Sequence, residues 1–259
     1  MVCLKHHDFN YMKEKIDISQ QVGITESGEV AFNLDTFNNL RKANIIITKR
    51  LTDKVIDKLI ENKEKIILHL TCTGMGGTKI EPFVPSVDVT YEKCKQLIEK
   101  GFPISHIVLR IDPIVPTAKG IDTAESVLKK FIPLKIKRVR ISILDMYKHV
   151  KERFSDNGIP LPFETFHASS SLRTLICEKF SDYSKKHDFD MEVCGEPDID
   201  SIPCISQKDI DILGLTDEIK LVGNAGQRKS CSCPANKHEI MAGKPHQCNN
   251  GCLYCFWRS

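Results

Sequence analysis

At 259 residues the chain can bury a full apolar core without covalent staples, and 41% hydrophobic with 27% charged residues is the make-up of an ordered globular protein rather than a disordered one. A formal net charge of +3 is too small to argue for nucleic acid as a partner; with no apolar run of transmembrane length and no signal-type segment in MVCLKHHDFNYMKEK, the expected location is cytoplasmic, with no membrane partner. Eleven cysteines are the outlier: an odd, end-weighted set in a reducing compartment predicts metal binding or redox chemistry instead of a disulfide framework.

In chain order, Ile45-Ile46-Ile47-Thr48 predicts a strand and TDKVIDKLIENKEK an amphipathic helix. Ile66-Ile67-Leu68-His69-Leu70 predicts the next strand. The helix YEKCKQLIEKG follows, with Cys94 on its apolar side beside Leu97 and Ile98 and Gly101 as its C-terminal cap. Ile107-Val108-Leu109-Arg110-Ile111, the helix AESVLKKFI and Val139-Arg140-Ile141-Ser142-Ile143-Leu144 continue the alternation. The helix SSLRTLICEKFSDYSKK, with Cys177 packed inside, and the strand Met191-Glu192-Val193 complete it. Strands alternating with helices predict βα units and a parallel sheet, open or closed into a barrel, and near-continuous apolar strands fit burial on both faces. After Glu196 the pattern gives way to one short helical segment and turn-rich, cysteine-rich sequence, so residues 1–196 are expected to form the main domain and 197–259 an extension over the strand edge.

The strands end in residues of site-forming type: Thr48-Lys49-Arg50, Thr71-Cys72-Thr73-Gly74-Met75-Gly76-Gly77, Arg110-Ile111-Asp112-Pro113, Asp145 and Cys194-Gly195-Glu196. Ligands of parallel α/β folds bind at the carboxyl edge, so these residues are expected to converge, although exposed loops are polar for simpler reasons too. Cys72 at such an end is either a packing residue or a thiol with a part in the site's chemistry.

Cys248, Cys252 and Cys255 stand in C-x3-C-x2-C spacing near the end of the chain. Three thiolates hold three irons of a four-iron cluster and leave one open, and Gly251 lets the chain turn tightly about it. Zinc asks for a fourth ligand, for which His246 is at hand.

C-x3-C-x2-C with an aromatic residue, Tyr254, before its third cysteine resembles the signature of radical S-adenosylmethionine enzymes. Placed at the C-terminal end, after QRKSCSC and closing on GCLYC, it resembles the DUF1848 family, related to spore photoproduct lyase; IIITK, LTCTGMGGTKIEPFVP, LRIDPI and MEVCGEPDI are similar to that family's internal motifs. The resemblance implies a partial (β/α) barrel over residues 1–196 and an iron–sulfur-binding extension over 197–259. It implies a [4Fe-4S] cluster on Cys248, Cys252 and Cys255, S-adenosyl-L-methionine on the open iron, and an electron donor such as flavodoxin or ferredoxin. By their position at the strand ends, Thr73, Gly74, Gly76 and Gly77 are expected to contact that cofactor through the backbone. Arg110, Asp112, Ser142 and Lys49 are expected to bind its polar groups, or else to form internal salt bridges. The substrate, a small molecule or a nucleic acid, is not specified; the basic stretches Lys135 to Arg140 and Arg228-Lys229 lack the interleaved aromatics of base-stacking proteins.

Cys194, Cys204, Cys231 and Cys233 remain. They make one four-thiol set, suited to a second iron–sulfur cluster or a zinc ion; alternatively Cys194 and Cys204 are core thiols. The rival functional class is a zinc-stapled nucleic-acid or protein-binding module without catalysis.

Overall fold

The computed structural model describes residues 16–227, 230–242 and 248–257. Seven strands form one sheet in the order β6-β5-β4-β3-β2-β1-β7, and the two edge strands do not meet, so the sheet is not closed. Every pairing is parallel. The strands are β1 (Val22–Ile24), β2 (Ala43–Thr48), β3 (Ile66–Thr71), β4 (Ile107–Ile114), β5 (Arg138–Ile143), β6 (Asp190–Val193) and β7 (Lys237–Glu239). The architecture is mixed α/β, consistent with a partial β/α fold.

The crossover helices α1 (Asp53–Glu61), α2 (Val87–Glu99), α3 (Ala118–Phe131) and α5 (Ser170–His187) are started by side-chain caps. The hydroxyls of Thr52, Ser86, Thr117 and Ser169 accept from backbone N–H groups two or three residues inside each helix. Each buries one stripe: Val55, Ile56 and Leu59 on α1; Thr90, Cys94 and Leu97 on α2; Ala124, Val127, Leu128 and Phe131 on α3; Ile176, Cys177 and Phe180 on α5. These stripes cover one face of the sheet, where Ile46, Leu68, Leu70, Leu109, Ile111, Val139 and Ile141 lie in the main core. Cys94 and Cys177 are packing residues in that core, and Cys72 joins them there, its thiol pushed up to about 11 by burial.

The opposite face is filled by the extension. Ile45, Ile67 and Val108 pack against Cys204, Ile205, Ile210, Ile219 and Cys233, with α6 (Gln207–Ile212) among them. The extension also supplies β7, which pairs with β1 through Val22↔Lys237 and Ile24↔Glu239. Alternation along β4 and β5 sends Arg110, Arg138 and Arg140 to this inner face, where they are buried. Arg138 bonds Glu192 and Asp209, each at 2.7 Å, and Arg140 bonds Glu192 at 3.0 Å and the Pro203 carbonyl at 2.9 Å. His69 lies fully buried beside them with both ring nitrogens unpaired; burial and then Arg140 and Arg110 hold it well below the usual histidine pKa, so it is neutral.

Three elements carry no clear sequence pattern: β1, β7 and the helix α4 (Lys148–Asp156), which buries only Val150 and Phe154. No helix among the described residues is long and apolar enough to cross a membrane.

Candidate active site at the carboxyl edge of the sheet

A cavity of about 500 Å³ opens at the carboxyl edge of the strands. The strand ends contribute Lys49 after β2, Thr71 from β3, Arg110 and Asp112 from β4, Ser142 from β5, Asp145 beyond it, and Cys194 after β6. The extension contributes Cys204, Cys231 and Cys233, and the terminal motif Cys248, Asn250, Cys252, Tyr254 and Cys255. All seven thiols expected at a metal therefore face one space. Thr73, Gly74, Gly76 and Gly77 are not among its lining residues.

Arg110 and Asp112 are two residues apart on β4 and pair directly; the Ser142 hydroxyl donates to the other carboxylate oxygen of Asp112. Burial opposes the charge of Arg110, but Asp112 and then Cys204 outweigh it and hold the guanidinium firmly protonated. Its Nε is buried without a partner.

Lys49 is held by Glu81 at 3.0 Å. The Thr73 hydroxyl donates to Glu81 at 2.6 Å, and the Tyr254 hydroxyl donates to the same carboxylate. Burial pushes Glu81 up, but Lys49 and these hydroxyls win and leave it below the usual carboxylate range. Burial and then Glu81 push Tyr254 well above the usual phenol range. Glu29 anchors the same corner: it accepts from the Thr48 hydroxyl, the Lys49 N–H at 2.9 Å and the Asn250 amide at 3.2 Å.

The terminal motif is docked residue by residue onto the loop after β3. Leu253 N–H donates to the Ile80 carbonyl at 2.9 Å, Phe83 N–H to the Asn250 carbonyl at 3.3 Å, and Arg50 to the Phe83 carbonyl and the Asn250 side chain. From the other side Arg153 of α4 donates to the carbonyls of Leu253 and Cys255. Gly251 turns with φ 71°, and a Cβ there would stand 3.0 Å from Pro82 and Phe83. The glycine run after β3 serves this loop: a Cβ on Gly76 would lie 2.0 Å from the Pro85 carbonyl oxygen. Burial pushes Cys252 up to about 12 and raises Cys248, so both are neutral thiols that metal binding would deprotonate.

The other four cysteines are brought together in a row. The Cys194 and Cys204 sulfurs are 3.6 Å apart, Cys204 N–H donates to the Cys233 sulfur at 3.3 Å, and Cys231 stands beside Cys233. Its contact with Cys233 pulls Cys231 down to about 6, and the contacts with Cys194 and Cys233, with Arg110 and Arg140 nearby, hold Cys204 well below a free thiol. Among the described residues no three His, Cys, Asp or Glu side chains close round a point that could hold an ion. Cys3, Arg228, Lys229 and His246 lie outside the described residues.

Aromatic rings form the remaining wall. Tyr147 stacks on Phe256 at a centroid distance of 5.7 Å and meets the edge of Phe166 at 4.8 Å, with Trp257 next to Phe256. His167 bonds Asp145 at 2.7 Å on the same side. Sequence reasoning missed Glu29, Glu81, Asn250, Arg153 and this wall. Only Glu81 carried a signal, its place in the family-like run GMGGTKIEP.

Fold and site together define a parallel α/β protein with a cysteine-lined cavity at the carboxyl edge. The chain belongs to the DUF1848 family, described as a domain of unknown function, whose model matches residues 37–257. No curated protein matches it. Among solved structures it is similar to Streptococcus suis SuiB at 15% identity and a TM-score of 0.42, over 60% of this chain and 33% of that one. The chain thus spans about a third of that protein's length, and a likeness at this level fixes neither fold nor function.

Proposed function

We propose that the chain is a radical S-adenosylmethionine enzyme with a [4Fe-4S] cluster on Cys248, Cys252 and Cys255. The observation that supports this reading is the meeting, in one cavity at the carboxyl edge, of those three thiols with Lys49, Arg110, Asp112 and Ser142. The donor set fits the group: three thiols leave one iron of four to the cofactor, and the cavity is within the usual range for small-molecule sites. The unpaired Nε of Arg110 is a buried donor awaiting an acceptor. When bound and reduced, cluster and S-adenosylmethionine supply a 5′-deoxyadenosyl radical, the hard part of the chemistry.

The chain's own residues bind, orient and shield. Arg110, fixed by Asp112, offers its charge to a carboxylate; Asp112 and Ser142, bonded to each other beside it, present oxygens toward hydroxyl or ammonium groups. Lys49, held by Glu81, supplies a second cation beside Cys252. Thr73, Gly74, Gly76 and Gly77 act at one remove, shaping the loop on which the motif is docked. Tyr147, Phe256 and Trp257 keep water from the outer side. The substrate is a small molecule or a nucleic acid, and the electron donor a protein of the flavodoxin or ferredoxin type.

The test is anaerobic reduction of the iron-loaded chain with S-adenosylmethionine. Formation of 5′-deoxyadenosine, lost in the Cys248→Ala/Cys252→Ala/Cys255→Ala variant together with about four irons per chain, is the expected result. A colourless chain carrying zinc would replace this reading with the binding module.

A further inference from the structure

The row Cys194, Cys204, Cys233, Cys231 is a line of neighbouring sulfurs rather than a set of ligands round one point. Zinc needs four ligands round a common point, and the described residues offer no three. A four-iron cluster keeps each thiolate on its own iron, whereas the Cys194 and Cys204 sulfurs touch at 3.6 Å. The neighbouring charges already balance: Arg110 pairs with Asp112, and Arg138 and Arg140 with Glu192 and Asp209. Four thiolates on a divalent ion would add uncompensated negative charge to this buried interior. What the row does have is continuity and a direction. Cys231 is half-buried at its outer end, Cys233, Cys204 and Cys194 are buried, and all four line the cavity.

We propose that these cysteines form a redox-active thiol relay, which accepts a low-molecular-weight disulfide at Cys231 and delivers the disulfide bond to Cys194–Cys204 beside the strand-edge residues. Cys231 attacks one sulfur of the incoming disulfide, breaking its S–S bond and releasing one small thiol. Cys233 displaces the second, which leaves a Cys231–Cys233 bond. Attack of Cys204 on Cys233 frees Cys231, and attack of Cys194 on Cys204 frees Cys233. In sum, Cys194 and Cys204 lose two electrons and two protons, and the small disulfide gains them as two thiols. Each exchange is between thiols that are neighbours in the row, and the last needs side-chain movement at a contact already made. None of these thiols belongs to the C-x3-C-x2-C motif, so the relay goes beyond the radical reading and does not depend on it.

The full chain, purified anaerobically, is incubated with oxidised glutathione, quenched in acid, alkylated, digested and mapped by mass spectrometry. A peptide pair joined through Cys194 and Cys204, released by dithiothreitol, is expected. Cys204→Ser should halt the bond at Cys231–Cys233, and Cys231→Ser should slow arrival at Cys194–Cys204 by about tenfold or more. Formation at the unchanged rate in Cys231→Ser overturns the relay. So does full alkylation of Cys194 and Cys204 after exposure to oxidised glutathione. So does iron or zinc retained by the variant lacking Cys248, Cys252 and Cys255, with the row protected from alkylation. Deoxyadenosine formation is not read, so loss of the radical reading leaves this result standing.

Discussion

Glu81 is the residue on which the site's polar contacts converge. With its side chain 1% exposed, it holds Lys49, Thr73 and Tyr254 at once, and so ties the end of β2, the loop after β3 and the terminal motif to one carboxylate. Because its folded pKa is depressed, its contribution to stability is fully present above its unfolded value of 4.5 and is lost as pH falls through the folded value. Glu81→Gln is therefore expected to be less stable than wild type by about 3 kcal/mol at pH 7, since a largely buried Lys49 loses its partner. The gap should narrow as pH falls from 4.5 through the lower folded value, below which the folded wild-type carboxyl is protonated as well. Denaturant midpoints across that range check both sign and size. Arg110 poses a different question, because its pairing with Asp112 and the second bond from Ser142 to Asp112 are structural in themselves. If the guanidinium also binds the cofactor, Arg110→Ala loses a charge-assisted contact, about ten- to a hundredfold in S-adenosylmethionine affinity, with cluster iron unchanged. A lowered melting temperature with normal binding in both Arg110→Ala and Asp112→Ala would make the pair scaffold alone.

At the scale of elements, the motif CNNGCLYC has no regular structure of its own and is held by what it lies on. Its backbone is fixed by Ile80, Phe83, Arg50 and Arg153, and its turn by Gly251 against Pro82 and Phe83. Gly251→Ala must adopt a left-handed conformation, at roughly 1–2 kcal/mol, and must displace two rings as well. The expected outcome is early proteolytic release of the C-terminal segment and reduced iron uptake, while far-UV circular dichroism stays as in wild type. Full iron loading in that variant would show that the docking is incidental. The same elements explain what could be read in advance. Strands β2 to β6 and the helices α1, α2, α3 and α5 announce themselves because each presents a repeated apolar pattern to the core. Strands β1 and β7 are three residues each, too short for a period, and α4 offers two buried residues. The cysteines, Lys49, Arg110, Asp112 and Ser142 could be read from residue type and strand-end position. Glu29, Asn250 and Arg153 could not, because the contacts that join them to the terminal motif span the chain: Glu29 meets Asn250 across 221 positions and Arg153 meets Leu253 across 100. Nothing local encodes such pairs.

Across the whole molecule the extension is the second half of the fold's interior. One face of the sheet is covered by the crossover helices, and the other becomes buried only when residues beyond Glu196 lie down on it. The fastening is electrostatic as well as apolar. Asp209, fully buried at the start of α6, accepts from Arg138 with one carboxylate oxygen and from the backbone and hydroxyl of Ser206 with the other. Two substitutions separate these jobs. Asp209→Asn keeps an acceptor for the cap but withdraws the charge, leaving Arg138 and Arg140 to share Glu192; breaking a buried pair in this way costs about 3–5 kcal/mol. Asp209→Ala loses the cap too, about 1 kcal/mol more. Both should lower the urea midpoint at pH 7 in that order, with the slope m unchanged, because the same surface is exposed on unfolding. If the extension instead docked as an independent flap, Asp209→Asn would leave the main transition where it is and add a separate early step confined to residues 197–259. Hydrogen exchange distinguishes the cases: a shared interior predicts that amides of β4 and β5 lose protection together with those of α6, since one face of those strands has no other cover.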